Sequence, residues 1–304
     1  MYHLIYLTNQ IILGIDLEKH TNHTRMRKWN ADYHNTPLDG SPIKQKPDII
    51  LVDHSGKEDA HMPRWPNVRA ICEITATKNF HARIHYTIWS KAFIMMNTQF
   101  NWIFIPFLSI CGERFWLNVC DRAGVIQSIE YNLHDNALVF LRVLVGFMFG
   151  NESVLGRDTT MCLGADDEVV GITVGGQEYT VVKKIFSLET LRGRGTQCWH
   201  VRHDGQDYVI KDGWIHTGRK HSETEMLEII RGIPCVPTIN HGEDLQLPGG
   251  IPSSTNVVRV GLDSPEERIH RRILLQPVGE SIFTFTSKKE LIRAFIDIIK
   301  GMYL

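Results

Sequence analysis

A lysine, a glutamate and two glycines in the second half of the chain have types and spacing that could bind phosphate. Lys211 ends an apolar run, and Glu223 follows 12 positions later (223 − 211) in a segment of helical character. Gly193 and Gly195 lie upstream between two strand-like runs, where glycine lets backbone N–H groups approach a phosphate closely. The sequence therefore predicts that the glycines form a phosphate loop, that Lys211 holds phosphates and that Glu223 orients Lys211.

Each of these residues also has an ordinary structural interpretation. A lysine at a strand end is commonly a solvated edge charge, and a glutamate in the first helical turn complements the helix dipole. Glu225 is the alternative partner of Lys211 if the helix register differs, because two positions move a side chain to another face. The spacing favours Glu223, since Met226 and Leu227 then face the sheet.

The elements that must position these residues are three strands, a helix and two further strands. Asp204-Gly205 separates two extended runs and predicts a tight hairpin between the second and third strands. A lysine on the third strand, paired with a glutamate on the next helix, is the arrangement that positions phosphates in protein kinases. The predicted strands are Tyr179–Ser187, Gln197–His203, Gln206–Ile210, Asn256–Gly261 and Arg271–Gln276, and the predicted helix is Ser222–Arg231.

The last of these strands runs into a segment that could contact a nucleotide base. Pro277, Val278 and Gly279 follow it directly, and backbone groups there could form hydrogen bonds with an adenine. A further helix is predicted over Lys288–Tyr303, which would lead on toward a catalytic loop. Arg271-Arg272, inside the strand, is predicted to be solvated.

Segments along most of the chain resemble, in the right order, the fungal-type protein kinase family. The resemblance implies ATP-dependent phosphoryl transfer to Ser or Thr of proteins, with Mg²⁺ as the second cofactor. It also implies a kinase-like N-lobe around Lys211. The matching segments are Lys46–Leu51, Trp65, Ala70–Ile74, Asp121–Gly124, Leu155–Asp158, Tyr208–Trp214, Ile269–Leu275 and Pro277–Gly279.

The resemblance also predicts a catalytic loop just beyond Leu304, where the sequence ends. Protein kinases carry a His-Arg-Asp loop and then Asp-Phe-Gly, and no catalytic residue is therefore assigned. The expectation is a kinase truncated before its catalytic loop and inactive alone. The alternative is a pseudokinase-like module that binds a nucleotide or a protein.

A second pair of residues, in the first half, could bind a metal ion. Asp48 opens one predicted strand and Glu73 closes another, 25 positions later (73 − 48). An Asp followed by Glu-x-Lys on the next strand is the pattern of PD-(D/E)xK nucleases, in which the carboxylates bind Mg²⁺. Thr75 stands where the lysine belongs, and Lys78 has the opposite strand parity. A degenerate nuclease is thus the third functional alternative. In the simpler, structural interpretation, Asp48 and Glu73 are strand-end charges that neighbouring groups satisfy.

The predicted fold class is α+β in two parts. Residues 1–165 are expected to form a nuclease-like sheet domain, and residues 170–304 a kinase-like N-lobe with the first C-lobe helices, with the boundary near Leu163–Glu178. In the first part, Asp121-Arg122 is expected to form an ion pair at a turn. The first-part strands are predicted over Asp48–Asp53, Val68–Ile74, Trp102–Ile110, Arg114–Cys120 and Val125–Tyr131, and its helices over Ala82–Thr98 and Asp135–Phe149.

The composition excludes several classes of protein. Lys plus Arg number 33 and Asp plus Glu 34, for a net charge of −1, which argues against a general nucleic-acid binder. No apolar stretch reaches the roughly 18 residues of a spanning helix, so an intracellular location, cytoplasmic or nuclear, is the default expectation. The protein partner is unknown. Phe295, Ile298 and Ile299 share one face of the last helix, which predicts self-association.

Overall fold

The computed structural model describes residues 27–54, 62–76, 81–262 and 266–302. Within these ranges, two seven-stranded sheets and four α-helices make up most of the regular structure. The first half contains β1 (Arg27–Asn30), β2 (Ile49–Asp53), β3 (Val68–Thr75), α1 (His81–Thr98), β4 (Phe104–Cys111), β5 (Arg114–Asp121), β6 (Gly124–Gln127), β7 (Tyr131–Asn132) and α2 (Ala137–Phe149). The second half contains β8 (Met161–Leu163), β9 (Val169–Val174), β10 (Gln177–Ser187), β11 (Gln197–His203), β12 (Gln206–His216), α3 (Glu223–Ile229), β13 (Thr238–Asp244), β14 (Gln246–Leu247), β15 (Ile251–Pro252), β16 (Arg268–Gln276) and α4 (Lys288–Met302).

The first sheet has the order β1-β2-β3-β4-β5-β6, with β7 beside β5. Strands β1 to β3 are antiparallel neighbours, whereas β4 is parallel to β3. A parallel neighbour requires a crossover connection, and α1 supplies it. Because Ile49 pairs with Cys72, the start of β2 meets the end of β3, and this register brings Asp48 next to Glu73.

Both faces of the first sheet are covered, which explains why its strands read as nearly continuous apolar runs. Ile50 and Val52 of β2 pack on one face in a cluster with Ile88 of α1. Ile49 and Leu51 point the other way, into a cluster that includes several residues of α2. The alternation follows the two-residue period of a strand.

The second sheet has the order β13-β16-β12-β11-β10-β9-β8, and all neighbouring strands are antiparallel. The predicted hairpin between β11 and β12 is present. Asp204 and Gly205 have φ values of 48° and 74°, the positive pair that a two-residue turn of this kind requires. Since β16 lies between β12 and β13, the strand that carries Lys211 is central.

One predicted strand is wrong, and the strand that takes its place was not predicted; β1, β8, β9, β14 and β15 were not predicted either. Asn256–Gly261 was predicted to be a strand, but Thr255–Val258 forms a 3₁₀ turn and Val260 is 87% exposed. The strand that borders β16 is instead β13, which has a single buried residue, Ile239. With so little apolar patterning, the sequence of β13 gave no strand signal.

The change from one sheet to the other lies earlier in the chain than expected. Strand β8 begins at Met161 and pairs with β9, so the segment Leu163–Glu178 lies inside the second sheet. The turn within it, around Gly164, connects two strands of the same sheet. Arg259 binds Asp121 at 2.6 Å and Arg69 binds Asp167 at 2.7 Å, and these pairs join the halves.

The mixed α+β class predicted from the sequence is confirmed, with a strand-and-helix arrangement consistent with a kinase-like fold.

In the described residues, no helix combines the length and apolar character needed to cross a membrane. Phe295, Ile298 and Ile299 on α4 are exposed; the self-association predicted from them stays a prediction.

Candidate functional site

The start of α3 places Glu223 against Lys211. The Ser222 hydroxyl accepts the N–H of Glu225 at 3.2 Å, and the Glu225 carboxylate accepts the N–H of Ser222 at 2.9 Å. This reciprocal cap fixes the first residue of the helix. Glu223 is that residue, and Lys211 Nζ donates a hydrogen bond to its carboxylate. Glu225 is occupied by the cap, so the alternative pairing is absent.

The Lys211–Glu223 ion pair lies at a partly open surface. Both side chains are 30% exposed, so a ligand can reach the ammonium without unfolding the sheet. Leu227 packs against the core under α3 as predicted, but Met226 is half-exposed and does not face the sheet. The contact is therefore present, while its role in phosphate binding stays a prediction.

The loop with the two predicted phosphate-binding glycines closes on Arg122 of the first half. Gly193 and Gly195 have φ values of 120° and 50°, which glycine adopts at no steric cost. The Gly193 N–H donates to the Arg122 carbonyl at 2.9 Å, and Arg122 Nη1 donates to the Thr190 carbonyl at 2.5 Å. A Cβ at position 195 would lie 2.5 Å from the guanidinium carbon. In this conformation the Gly193 N–H is therefore occupied. It could bind phosphate only after the loop had moved away from Arg122.

The space beside Lys211 is small in this loop conformation. A cavity of about 20 Å³ lies between Arg194, Thr196 and the Lys211–Glu223 pair, which is room for about one water molecule. A triphosphate would therefore require the loop to move outward. The loop is the part that can do so, because it contains two glycines and no regular structure.

The predicted hinge follows β16 directly. Pro277 and Val278 line a shallow depression at that end of the sheet. Ile273 pairs with Lys211, so Pro277 lies four residues farther along, about 13 Å at roughly 3.3 Å per residue. Gly279 is exposed next to this depression. The structure thus places these residues at the end of the strand that borders Lys211; base binding by them stays a prediction.

The opposite face of the second sheet carries a buried charge network that the sequence analysis did not predict. Arg272 is fully buried, not solvated. Its guanidinium donates to Asp212 at 2.6 and 2.8 Å and to Asp158 at 2.8 Å. His270 forms a hydrogen bond with Asp212 and stacks on Trp214, with ring centroids 4.5 Å apart. The network fastens the segment before β8 to β12 and β16.

This network is structural. Burial raises the pKa of Asp212, but the charges of His270 and Arg272 and their hydrogen bonds outweigh it and hold that pKa well below its usual value. Oxygen and nitrogen atoms of Asp158, Asp212 and His270 lie within 4.8 Å of one another. Arg272 binds both of these carboxylates, so it supplies the cation that the group needs.

The turn at Asp121-Arg122 also differs from expectation. Asp121 binds Arg259 at 2.6 and 3.0 Å and is not paired with Arg122. Burial lowers the pKa of Arg122 to about 10, although Cys120 and Asp212 act in the opposite direction. The two turn residues therefore contact the second half at two places. Asp121 does so through its carboxylate, and Arg122 through its guanidinium.

Asp48 and Glu73 come together in the first half, as the register of β2 and β3 requires. Asp48 Oδ2 accepts the N–H of Ile74 at 2.7 Å, and Glu73 Oε1 lies 3.4 Å from the N–H of Asp48. Lys91, on α1, donates a hydrogen bond from Nζ to Glu73. Both of those side chains are buried, at 3% and 6% exposure. A cavity of about 480 Å³ opens onto all three.

Lys91 is the residue of this group that sequence reasoning missed. It lies on the buried side of α1, three positions after Ile88 and four before Met95. A single lysine on an otherwise apolar helix face is a signal, because lysine is almost never fully buried unless it is paired. Lys78, the lysine considered earlier, lies outside the described residues.

Comparison with known proteins gives one match. A family model described as fungal protein kinase matches residues 46–267 and 263–303. The matched region includes Asp48, Glu73, Lys211 and Glu223, and therefore parts of both sheets. No curated protein and no solved structure matches the chain. The family match confirms the resemblance drawn from the sequence motifs.

Proposed function

The chain belongs to the fungal protein kinase family, and on that premise we propose that its second half binds the phosphates of a nucleoside triphosphate through Lys211. The observation that carries the proposal is the ion pair between Lys211 on β12 and Glu223 on α3. In kinases, a strand lysine and a helix glutamate must both be in place for the phosphates to be positioned. The pair is already assembled in this chain.

The two cofactors that the resemblance implies fit the second half unequally. The ammonium of Lys211 is accessible and suits an anionic phosphate. For Mg²⁺, carboxylate oxygens are the preferred protein ligands. Among the described residues that line the space around Lys211, Glu223 is paired with it and Asp212 is held by Arg272. The proposal for this half is therefore a phosphate site formed by Lys211, without a protein-built magnesium site.

Nucleotide titration of matched variants tests the proposal. Isothermal calorimetry with ATP would compare the parent chain, Lys211→Met and Lys300→Met, the last a control at an exposed lysine of α4. We expect Lys211→Met to bind at least tenfold more weakly, about 1.4 kcal/mol, and the control to bind like the parent. Equal affinity of Lys211→Met and the parent would overturn the assignment of Lys211.

A second candidate is the protein-binding, pseudokinase-like module. It predicts that the parent chain shows no calorimetric signal with ATP and no nucleotide-dependent shift in thermal unfolding. The exposed apolar side chains of α4 favour this candidate, because such patches mark interaction surfaces. The same titration therefore separates the two functions. Transfer of a phosphoryl group to Ser or Thr is an activity of the family. This chain would share that activity only if a catalytic base and metal ligands were also present.

For the first half, we propose the PD-(D/E)xK-like scaffold predicted from Asp48 and Glu73. Its support is the antiparallel β2–β3 pair, the α1 crossover and the parallel β4, which together gather the two acidic residues at one edge. We also propose two domains, close to the predicted 1–165 and 170–304. Because β8 pairs in the second sheet, the second domain would start at Met161.

A further inference from the structure

The cavity beside β2 and β3 contains polar groups with unused bonding capacity. Asp48 Oδ2 is bonded to Ile74, but within the described part of the chain no hydrogen bond engages Oδ1. The buried ammonium of Lys91 has three N–H groups. Glu73 is the one acceptor that the described residues provide for them. A buried donor without an acceptor is costly, so this arrangement favours a ligand with oxygen atoms.

The charges at the same place favour a cation as well. The carboxylates of Asp48 and Glu73 line the same cavity, and among the described residues Lys91 is the ammonium that is bonded to one of them, Glu73. Two carboxylates at one edge provide what Mg²⁺ uses in phosphate-processing sites, where it keeps several waters and binds substrate phosphate.

The cavity is large enough for more than an ion. Its volume of about 480 Å³ lies in the usual range of ligand sites, which starts near 300 Å³. Lys44 and Lys46 are exposed on its rim, and Lys44 is paired with Asp39 at 2.9 Å. An approaching phosphate therefore meets the positive charge of Lys46 outside and a carboxylate pair inside. Positive charge on the rim and carboxylates inside the cavity suit a metal ion that would bind both the carboxylates and a phosphate group.

We propose that Asp48 and Glu73 bind a divalent cation, Mg²⁺ or Mn²⁺, beside Lys91, and that this site hydrolyses phosphodiesters of nucleic acid. The inference is independent of nucleotide binding at Lys211. Lys91, on the helix, supplies the positive charge that Thr75 on the strand does not. The metal-bound water loses a proton to solvent, and its oxygen forms a bond to phosphorus. The bond from phosphorus to the leaving sugar oxygen breaks, and that oxygen takes up a proton, so one water is consumed.

Metal binding by the full chain is the first test, with Mn²⁺ alone as the probe. Electron paramagnetic resonance of free Mn²⁺ would be followed in the parent, Asp48→Asn and Asp166→Asn. Asparagine at 48 keeps an acceptor for the Ile74 N–H but loses the charge, whereas Asp166 is an exposed control in the second half. We expect at least a tenfold loss of affinity in Asp48→Asn and none in the control. Absence of binding by the parent, or equal binding by Asp48→Asn, would overturn the proposal.

Cleavage of supercoiled plasmid DNA and of a single-stranded RNA, each with Mn²⁺ or Mg²⁺, tests the hydrolytic step. We expect cleavage by the parent and by the control Asp166→Asn, and at least a hundredfold slower cleavage by Asp48→Asn and Glu73→Gln. Circular dichroism melting of each variant shows whether it is folded. If Glu73→Gln does not fold, the cleavage rate of Asp48→Asn alone tests the proposal. Site-dependent Mn²⁺ binding without cleavage of either substrate would overturn the assignment of hydrolysis.

Discussion

Two lysine–glutamate ion pairs, one in each half, join a strand to a helix in very different surroundings. Lys91 and Glu73 are 3% and 6% exposed, whereas Lys211 and Glu223 are each 30% exposed. In the first half the lysine comes from the helix and the glutamate from the strand; in the second half the roles are exchanged. The chemistry of the two contacts is the same, so burial is the main variable between them.

The difference separates a pair on which folding depends from a pair that is available to a ligand. A buried ion pair has lost its hydration, and removal of one partner leaves an uncompensated charge, which costs about 3–5 kcal/mol. An exposed pair contributes about 0–1 kcal/mol, because water replaces either partner. The ammonium of Lys211 can therefore also contact a phosphate at little cost, while Lys91 must keep Glu73 or receive another anion.

The largest expected effect is on Lys91→Met. The change leaves the Glu73 carboxylate buried without its cation, and burial already raises the pKa of that carboxyl. We expect the free energy of unfolding to fall by about 3–5 kcal/mol, measured by urea unfolding followed by circular dichroism. The double variant Lys91→Met/Glu73→Leu is the control, because replacing both charges with apolar groups of similar size is often close to neutral. A loss below about 1 kcal/mol in Lys91→Met would show that water reaches this pair.

The contrast between the pairs also explains which parts could be predicted from sequence. Lys211 and Glu223 are close along the chain, and the order strand, helix, strand brings them together, so their pairing could be inferred. Lys91 could be placed on a helix, but helical periodicity gives a face and not the partner across the sheet. Arg272 binds Asp158 across 114 positions, and no local pattern carries such a contact.

The strands show the same limit. Strands β2 to β5 of the first half were predicted within a few residues, because apolar side chains lie on both of their faces, whereas β1 was not predicted. Strand β13 was missed because its pairing with β16 relies on backbone hydrogen bonds and on the single buried side chain of Ile239. The hairpin at Asp204-Gly205 was predicted because its backbone conformation is encoded locally by the two turn residues.

Acidification should extend the comparison to the buried network of the second half. The folded-state pKa of Asp212 is held below its usual value despite burial, by His270 and Arg272. Its contribution to stability is therefore complete above the unfolded value of about 3.9 and is lost as the pH falls through the folded pKa. Below pH 4 we expect the parent to lose up to about 1.4 kcal/mol per pH unit more than Asp212→Asn. Urea midpoints at pH 5.5, 4 and 3 measure this; parallel curves would contradict it.

A smaller effect is expected for Gly195→Ala, in the loop beside the exposed pair. The added Cβ would lie 2.5 Å from the guanidinium carbon of Arg122, at a φ of 50°. We expect a loss of about 1–2 kcal/mol in the free energy of unfolding, in the range of strained left-handed positions. Gly205→Ala provides the matched control, because it has a positive φ but open space around the Cβ. Equal losses in the two variants would assign the cost to backbone strain alone and would show that the contact with Arg122 adds nothing to it.

The smallest effect on stability is expected for Lys211→Met, and it decides whether the comparison holds. Glu223 is 30% exposed, so water can hydrate its carboxylate after Lys211 is replaced, and the loss should stay below about 1 kcal/mol. The same variant should lose at least tenfold in ATP affinity, because Lys211 supplies the ammonium of that space. Arg194 and Arg271 also line it, and Arg271 is bound to Asp244 at 2.7 Å. Urea unfolding of Lys211→Met beside Lys91→Met gives the contrast directly. A loss as large as that of Lys91→Met would make Lys211 a structural residue, because its ion pair with Glu223 would then be one that the fold requires.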